Sequence, residues 1–322
     1  VGTDVVVVIE QLEGTLAEVS FEMLAKGREL AAAAGGRLVA VLPGHDVAKL
    51  AGELGAADRV VLVEHDALAH YTPEAYERAL AEALRAIQPR VALIGSSSIG
   101  LDQAAGLSVI LGWPLCAYCR DVALEDGRLI AWSQIYGGKL LAEAQAESAP
   151  VVCAMLPGAA PAAEGRKGGS PPIERIRPVL EGLRTRFKRL IPPESGDVDI
   201  TRESVLVSVG RGIQSQDNLA LVQELAEALG GTVSASRPIV DQGWLPKTRQ
   251  VGKSGLSVKP KLYLAVGISG APEHIEGMRD AELIVAINTD PNAPIFNVAH
   301  YGMVSDLFDV LPLLTEKVKS RA

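Results

Sequence analysis

Short unbroken runs of Val, Ile, Leu and Ala alternate with segments of helical period, and this alternation starts, breaks off and starts again. Runs of that kind suit strands buried on both faces. Strand–helix repetition makes successive strands parallel, with helices covering the sheet. In the first half, strands are expected at residues 5–9, 37–42, 59–63 and 91–95, with helices over 16–33, 48–54 and 73–87. Residues 115–123, 129–132 and 151–156 read as further strands. In the second half, 204–209, 232–235, 262–268 and 283–288 read as strands, 217–229 as an amphipathic helix and 301–319 as mostly helix. The expected fold class is α/β, in two domains, each a mostly parallel sheet flanked by helices.

Between the two blocks, residues 157–172 are dominated by Pro, Gly and Ala and can form no core. They are expected to be a linker, and the domains are drawn as 1–195 and 196–322, free to swing about that break. Residues 173–193 have modest strand character and fit either half. A chain of 322 residues, 48% of them apolar, can bury a core in each domain.

A net charge of −8 argues against nucleic acid as the main partner, because phosphate binding needs a basic surface. Arg166, Lys167, Arg175, Arg177, Arg184, Arg186, Lys188 and Arg189 form a local exception. They read as a solvated connector, with docking of an acidic partner as the alternative. No stretch approaches the ~18–20 apolar residues of a membrane span, and residues 5–9 lack the flanks of a signal peptide.

Cys116, Cys119 and Cys153 make no disulfide framework, which fits a reducing, cytoplasmic location. Cys116 and Cys119 spell C-x-x-C but lie in an expected strand, where residues three apart point to opposite faces. They read as packing residues rather than a redox pair. His45, His65 and His70 show no ligand spacing and are expected to be structural.

Chemistry concentrates at the carboxyl ends of the second block's strands, where open α/β sheets hold ligands. In order, these ends carry Gly210-Arg211-Gly212, Ser236-Arg237, the run from Gln250 to Gly255, the run from Ser269 to His274, and Asn288. Glycine allows backbone to approach a phosphate, and the arginines and hydroxyls suit a pyrophosphate joined to a polar ring. The pattern points to a dinucleotide without naming it. Residues 236–260 form an irregular stretch too long to be idle. Gly252-Lys253-Ser254 ends like a P-loop, but Lys247 stands where the first glycine belongs. The fingerprint G-x-G-x-x-G fails at Ser215. No nucleophile–base or paired-carboxylate arrangement stands out, so a bound cofactor is expected to carry the chemistry.

The run from Ser236 through Pro246, Gln250-Val251-Gly252, the run from Leu262 through Met278, and that from Ile284 through Phe296 together resemble the C-terminal domain of electron transfer flavoprotein alpha subunits. The first half resembles the family more loosely, in its order of elements and in residues 95–102. The resemblance implies a doubly wound FAD-binding domain. It places Arg211 at the pyrophosphate and Ser236 and Arg237 by the isoalloxazine, with the Arg237 guanidinium over the ring, favouring added negative charge. Gln250, Val251, Gly252, Lys253 and Ser254 would wrap the ribityl chain and ring. Ser269, Gly270, Ala271, Pro272, Glu273 and His274 would line pyrophosphate and ring, with His274 facing the N1/O2 edge. Asn288, Asp306 and Leu307 would hold the adenosine half.

The implied partners are an electron transfer flavoprotein beta subunit, a donor dehydrogenase and a downstream acceptor such as a quinone oxidoreductase or ferredoxin. The uncharged segment 149–156 is expected to face the beta subunit. Lys253-Ser254, Pro272-Glu273 and His300 depart from the commoner family pattern and resemble its electron-bifurcating branch, in which the complex also oxidises NADH. The reading of another class is an adenine-nucleotide-binding regulatory module.

Overall fold

The computed structural model describes residues 2–146, 150–190 and 198–320, in two units that divide between Arg189 and Leu190. The boundary drawn at 195/196 lies outside the described residues.

The first unit is built on a nine-stranded sheet in the order β9-β3-β2-β1-β4-β8-β5-β6-β7, with a separate two-stranded hairpin of Gln11–Leu12 and Thr15–Leu16. The strands are β1 (Val5–Val8), β2 (Leu38–Gly44), β3 (Arg59–Glu64), β4 (Val91–Gly95), β5 (Leu115–Glu125), β6 (Arg128–Ile135), β7 (Leu140–Ala146), β8 (Val151–Met155) and β9 (Ile173–Ile176). Every pairing is parallel except β5–β6 and β6–β7. The central strands are buried on both faces, as their unbroken apolar runs require. Helix α1 (Glu18–Ala34) ends at Gly35 in the left-handed conformation, and α2 (Pro73–Ile87) begins on its proline. Helix α3 (Ser98–Leu111) follows β4; Ser97 caps it by accepting from Gly100 N–H at 2.9 Å. The strand β7 and the length of α3 were not among the sequence expectations.

Two expectations are overturned here, on the stretch 157–172 and on the run 151–155. The stretch 157–172 is no tether. It carries the short helix α4 (Ala162–Gly165), packed so closely on α1 that a Cβ at Gly165 would lie 1.8 Å from Phe21 O. Arg166 stacks 3.7 Å over the Phe21 ring and pairs with Glu18, and the chain then enters the sheet as β9. The stretch lies within the first unit and not between the two units. The basic residues over 166–189 are largely exposed, as a solvated segment requires, and Arg175 and Arg184 pair with Glu64 at 3.1 Å and Glu74 at 3.3 Å within their own unit. The second is the docking face: β8 is buried between β4 and β5, so the apolar run over 151–155 is core and not an exposed docking face.

The cysteines depart from simple strand geometry too. Tyr118 has φ +55°, and β5 slips against β8 so that Cys116 lies opposite Cys153 and Cys119 opposite Met155. This bulge puts Cys116 and Cys119 on one face rather than two. All three thiols are free and pack in one core. The histidines are structural: His65 Nδ1 accepts from Ala67 N–H at 3.0 Å, and His70 stacks on Phe187.

Asp58 joins two strands and a helix, accepting from both terminal nitrogens of Arg28 at 2.8 Å and from Leu38 N–H at 2.7 Å. The Arg28 guanidinium, ahead of the Leu38 amide, holds its carboxyl below the ordinary carboxylate range. Its contribution is present above the unfolded carboxylate value and is lost as pH falls through the lower folded one. Asp58→Asn is expected to cost about 1 kcal/mol at pH 7, discounted for its partly exposed position. Urea melts should show that difference shrinking towards pH 3; a difference unchanged by acid would contradict the assignment.

The second unit is a wholly parallel sheet in the order β11-β10-β12-β13-β14. Its strands are β10 (Val205–Val209), β11 (Thr232–Ala235), β12 (Leu262–Val266), β13 (Leu283–Asn288) and β14 (Tyr301–Val304). Helices α5 (Leu219–Ala228) and α8 (Leu307–Lys319) cover one face, over a core that includes Val207, Val209 and Leu264. Residues 301–304, expected to open a helix, instead form the exposed edge strand β14. The stretch 236–260 is folded: it contains α6 (Arg237–Asp241), and Trp244 packs on the core.

Candidate functional site

From β10 the chain runs to β11 on one side and then to β12 on the other. Loops leaving such a reversal diverge and open a crevice beyond the strand ends. Here residues 210–212 after β10 and 267–271 after β12 form its floor. Gly210 N–H donates to Val266 O at 2.9 Å, and Gly212 N–H to Gly267 O at 3.1 Å. A Cβ at Gly210 would lie 2.3 Å from Gly267 O, and one at Gly212 2.7 Å from Gly267 Cα. Only glycine permits this contact. The crevice is a cavity of about 840 Å³, a size that holds a large organic cofactor.

The cavity brings together the expected Arg211, Ser236, Arg237, Val251, Gly252, Lys253, Ser254, Ser269, Gly270, Ala271, Glu273, His274, Asn288, Asp306 and Leu307. Gln250 and Pro272 do not line it. Gln250 stands behind the wall: its side-chain amide donates to Ser254 Oγ at 2.9 Å, and its carbonyl accepts from Leu256 N–H at 2.8 Å. It shapes the turn that Val251 N–H ties to Ala235 O at 2.9 Å. Pro272 opens α7 (Pro272–Glu276), where its ring fits the first turn.

Arg237 opens α6 and pairs with Asp241 one turn later, Nε to carboxylate 3.3 Å, with both side chains about two-thirds exposed. Asp241 also lines the cavity. Its i,i+4 spacing from Arg237 was visible in the sequence and overlooked. Asn288 donates to Ile268 O at 2.8 Å and accepts from Asp290 N–H at 2.9 Å, so its side chain braces two loops. Asp306 caps α8 by accepting from Phe308 N–H at 3.0 Å. Gln214, Thr289 and Ser305 complete the polar lining and carried no sequence signal.

His274 differs from what the resemblance implied. It is only 6% exposed; its Nδ1 lies 3.1 Å from Val251 O and its Nε2 2.8 Å from the Tyr263 hydroxyl. Both ring nitrogens are engaged by protein, so neither is left free to face an N1/O2 edge. Burial pushes its pKa down to about 4, against a smaller opposing effect of the Val251 carbonyl. Tyr263 was read only as a strand residue. A tyrosine inside a buried strand needs a partner for its hydroxyl, and that was the available signal.

Residues 5–180 match the electron transfer flavoprotein domain, and residues 199–279 match the electron transfer flavoprotein FAD-binding domain. The chain is 38% identical over 317 residues to the protein FixB of Clostridium saccharobutylicum, covering 96% of this chain and 94% of that one. It is 38% identical over 323 residues to the electron transfer flavoprotein subunit alpha of Thermoanaerobacterium thermosaccharolyticum, covering 98% of each. It is 35% identical over 350 residues to the acryloyl-CoA reductase electron transfer subunit beta of Anaerotignum propionicum, covering 98% and 95%. The glycine-floored cavity lies in the unit that carries the FAD-binding match, and the chain belongs to the electron transfer flavoprotein alpha subunit family, whose cofactor is FAD.

Proposed function

We propose that this chain holds FAD in the cavity between β10 and β12 and works as a heterodimer with an electron transfer flavoprotein beta subunit. The observation that carries the reading is the glycine-floored crevice, with Arg211, Arg237 and Lys253 at its wall. The fit is chemical as well as spatial. The close approach of residues 210–212 and 267–271 would fill with any Cβ, and leaves backbone amides and Arg211 for a pyrophosphate. Arg237 and Ser254 would meet the isoalloxazine, with His274 in the wall beside it and both its ring nitrogens held by protein, and Asp306 and Leu307 would meet the adenosine half. FAD supplies electron storage when bound; the side chains orient it, keep water from one side and set its charge environment.

Electrons would arrive from a dehydrogenase and leave to a quinone oxidoreductase or ferredoxin. Among the described residues no helix is long and apolar enough to cross a membrane, and the proposed location is the cytoplasm. Membership of an FAD-binding family leaves the regulatory-module reading without support.

Electron bifurcation with NADH is the second reading. Lys253 lines the cavity and favours it. His300 does not bear on it, because its Nδ1 accepts from Ile284 N–H at 2.9 Å away from the lining. Co-expression with the beta subunit and extraction of flavin tests both readings. One FAD per heterodimer is expected for a simple carrier. Two flavins with NADH oxidation would assign the bifurcating branch, and a colourless heterodimer would overturn the FAD site.

Exposed Ile135, Tyr136, Leu140 and Leu141 cluster where β6 turns into β7. Expressed without its partner, the chain is expected to aggregate through this hairpin. A monodisperse monomer in size-exclusion chromatography would contradict obligate pairing.

A further inference from the structure

We infer that Tyr263 is a positioning residue that locks His274 in one neutral tautomer, with hydrogen on Nδ1 and the lone pair of Nε2 held by the tyrosine hydroxyl. The argument begins at Val251. A backbone carbonyl can only accept, so the nitrogen 3.1 Å from it, Nδ1, must carry hydrogen. In a neutral imidazole the other nitrogen then has no hydrogen and must accept. The group 2.8 Å from Nε2 is the hydroxyl of Tyr263, which therefore donates. Each bond fixes the direction of the next.

The sheet supplies the support. Leu206 of β10 pairs with Tyr263 of β12, and Ser208 of β10 pairs with Ser234 of β11. Alternation puts Ser208, Ser234 and Tyr263 on one face. The two serine hydroxyls are buried beside the phenol, and neither has a well-formed partner. Once Tyr263 turns its hydrogen towards His274, its oxygen lone pairs face those donors. The phenol is fully buried, and burial raises its pKa, so it remains a donor. Protonating His274 would make Nε2 a donor and force the Tyr263 hydroxyl to turn its hydrogen away, towards the buried Ser208 and Ser234 hydroxyls.

The ionisable groups lining the same cavity are Arg211, Arg237, Asp241, Lys253, Glu273 and Asp306, and none is hydrogen-bonded to the imidazole. If the cavity is the FAD site, as proposed above, positive charge towards the ring comes from Arg237 and Lys253. His274 contributes shape and a fixed dipole, and its charge does not change across the physiological range.

The test is long-range proton–nitrogen NMR of the heterodimer with the beta subunit, this chain carrying ¹⁵N-histidine, with and without FAD, from pH 5 to 9, using His274→Gln for assignment. The expected spectrum has one histidine with hydrogen on Nδ1, a lone pair on Nε2 and no titration in that range. Tyr263→Phe should raise its midpoint by about one unit and mix the tautomers, since one hydrogen bond to the neutral form is lost. Hydrogen on Nε2, a charged ring at pH 7, or an unchanged spectrum in Tyr263→Phe would overturn the lock. If Tyr263→Phe does not fold, the unsubstituted chain's tautomer decides alone. FAD content, measured separately by absorbance, tests the cavity assignment: a locked His274 in a chain that binds no FAD would sink that assignment and leave the lock standing.

Discussion

Replacing Arg237 by alanine is expected to leave FAD bound and to lower its reduction potential. Arg237 lines the cavity through the first turn of α6 and brings a planar cationic guanidinium to it. Reduction adds negative charge to the ring, so a nearby cation favours the reduced state. At ~4 Å a unit charge is worth about 4 kcal/mol in a medium of effective dielectric near 20, and about 1 kcal/mol in water. Arg237 is about two-thirds exposed and shares its charge with Asp241, so the effect belongs in the lower half of that range. A fall of several tens of millivolts follows, about 1–2 kcal/mol on a one-electron scale. Asp241→Asn should shift the potential the other way by a smaller amount, because it frees the guanidinium. A spectroelectrochemical titration of the three proteins reads both signs. A potential unmoved in Arg237→Ala, or moved the same way in both variants, would remove Arg237 from the flavin's surroundings.

The site was more legible than parts of the scaffold that holds it. Residues 205–209 and 262–266 are unbroken apolar runs, and the polar, glycine-bearing tails behind them mark strand ends directly. That is why Arg211, Arg237, Ser269, Gly270, Ala271, Glu273 and His274 can be read from the sequence as one cluster. Gln250 was placed one layer too far forward. Its sequence neighbours line the cavity, but its own side chain turns back onto Ser254.

Edge strand β14 escaped because Tyr301 to Val304 is exposed throughout and runs straight into the apolar pattern of α8. The supposed linker was misjudged for a different reason. Pro and Gly exclude regular structure, but they do not exclude docking, and Gly165 is small because Phe21 O lies against it. The cysteine pair needed a positive φ at Tyr118, which no periodicity reveals. Tyr263 with His274 required knowing that a loop carbonyl, that of Val251, would meet Nδ1.

Gly270→Ala is expected to be the most damaging single-methyl change in the FAD-binding unit. Two penalties coincide there. Its φ of +85° is costly for any residue with a Cβ, by about 1–2 kcal/mol. The added carbon would also lie 2.3 Å from Ile295 N and 2.6 Å from Ile295 Cα, which are backbone atoms of a fully buried residue. Ile295 N–H is itself tied to Ser269 O at 3.0 Å, so the neighbour cannot withdraw without breaking that bond. Overpacking of this kind adds about 1–3 kcal/mol, giving a total of about 2–5 kcal/mol against a domain stability of about 5–15 kcal/mol. Gly243 provides the control. It has φ +73° but open space where a Cβ would go, so Gly243→Ala should show the conformational penalty alone. Urea unfolding of the FAD-free heterodimers should rank Gly270→Ala well below Gly243→Ala, with the parent most stable. Because residues 269–271 line the cavity, Gly270→Ala should also retain little FAD after gel filtration, while Gly243→Ala retains it. Equal stability of the two variants would mean that the loop relaxes around the methyl group, and that its close contact with Ile295 does not hold the cavity floor in place.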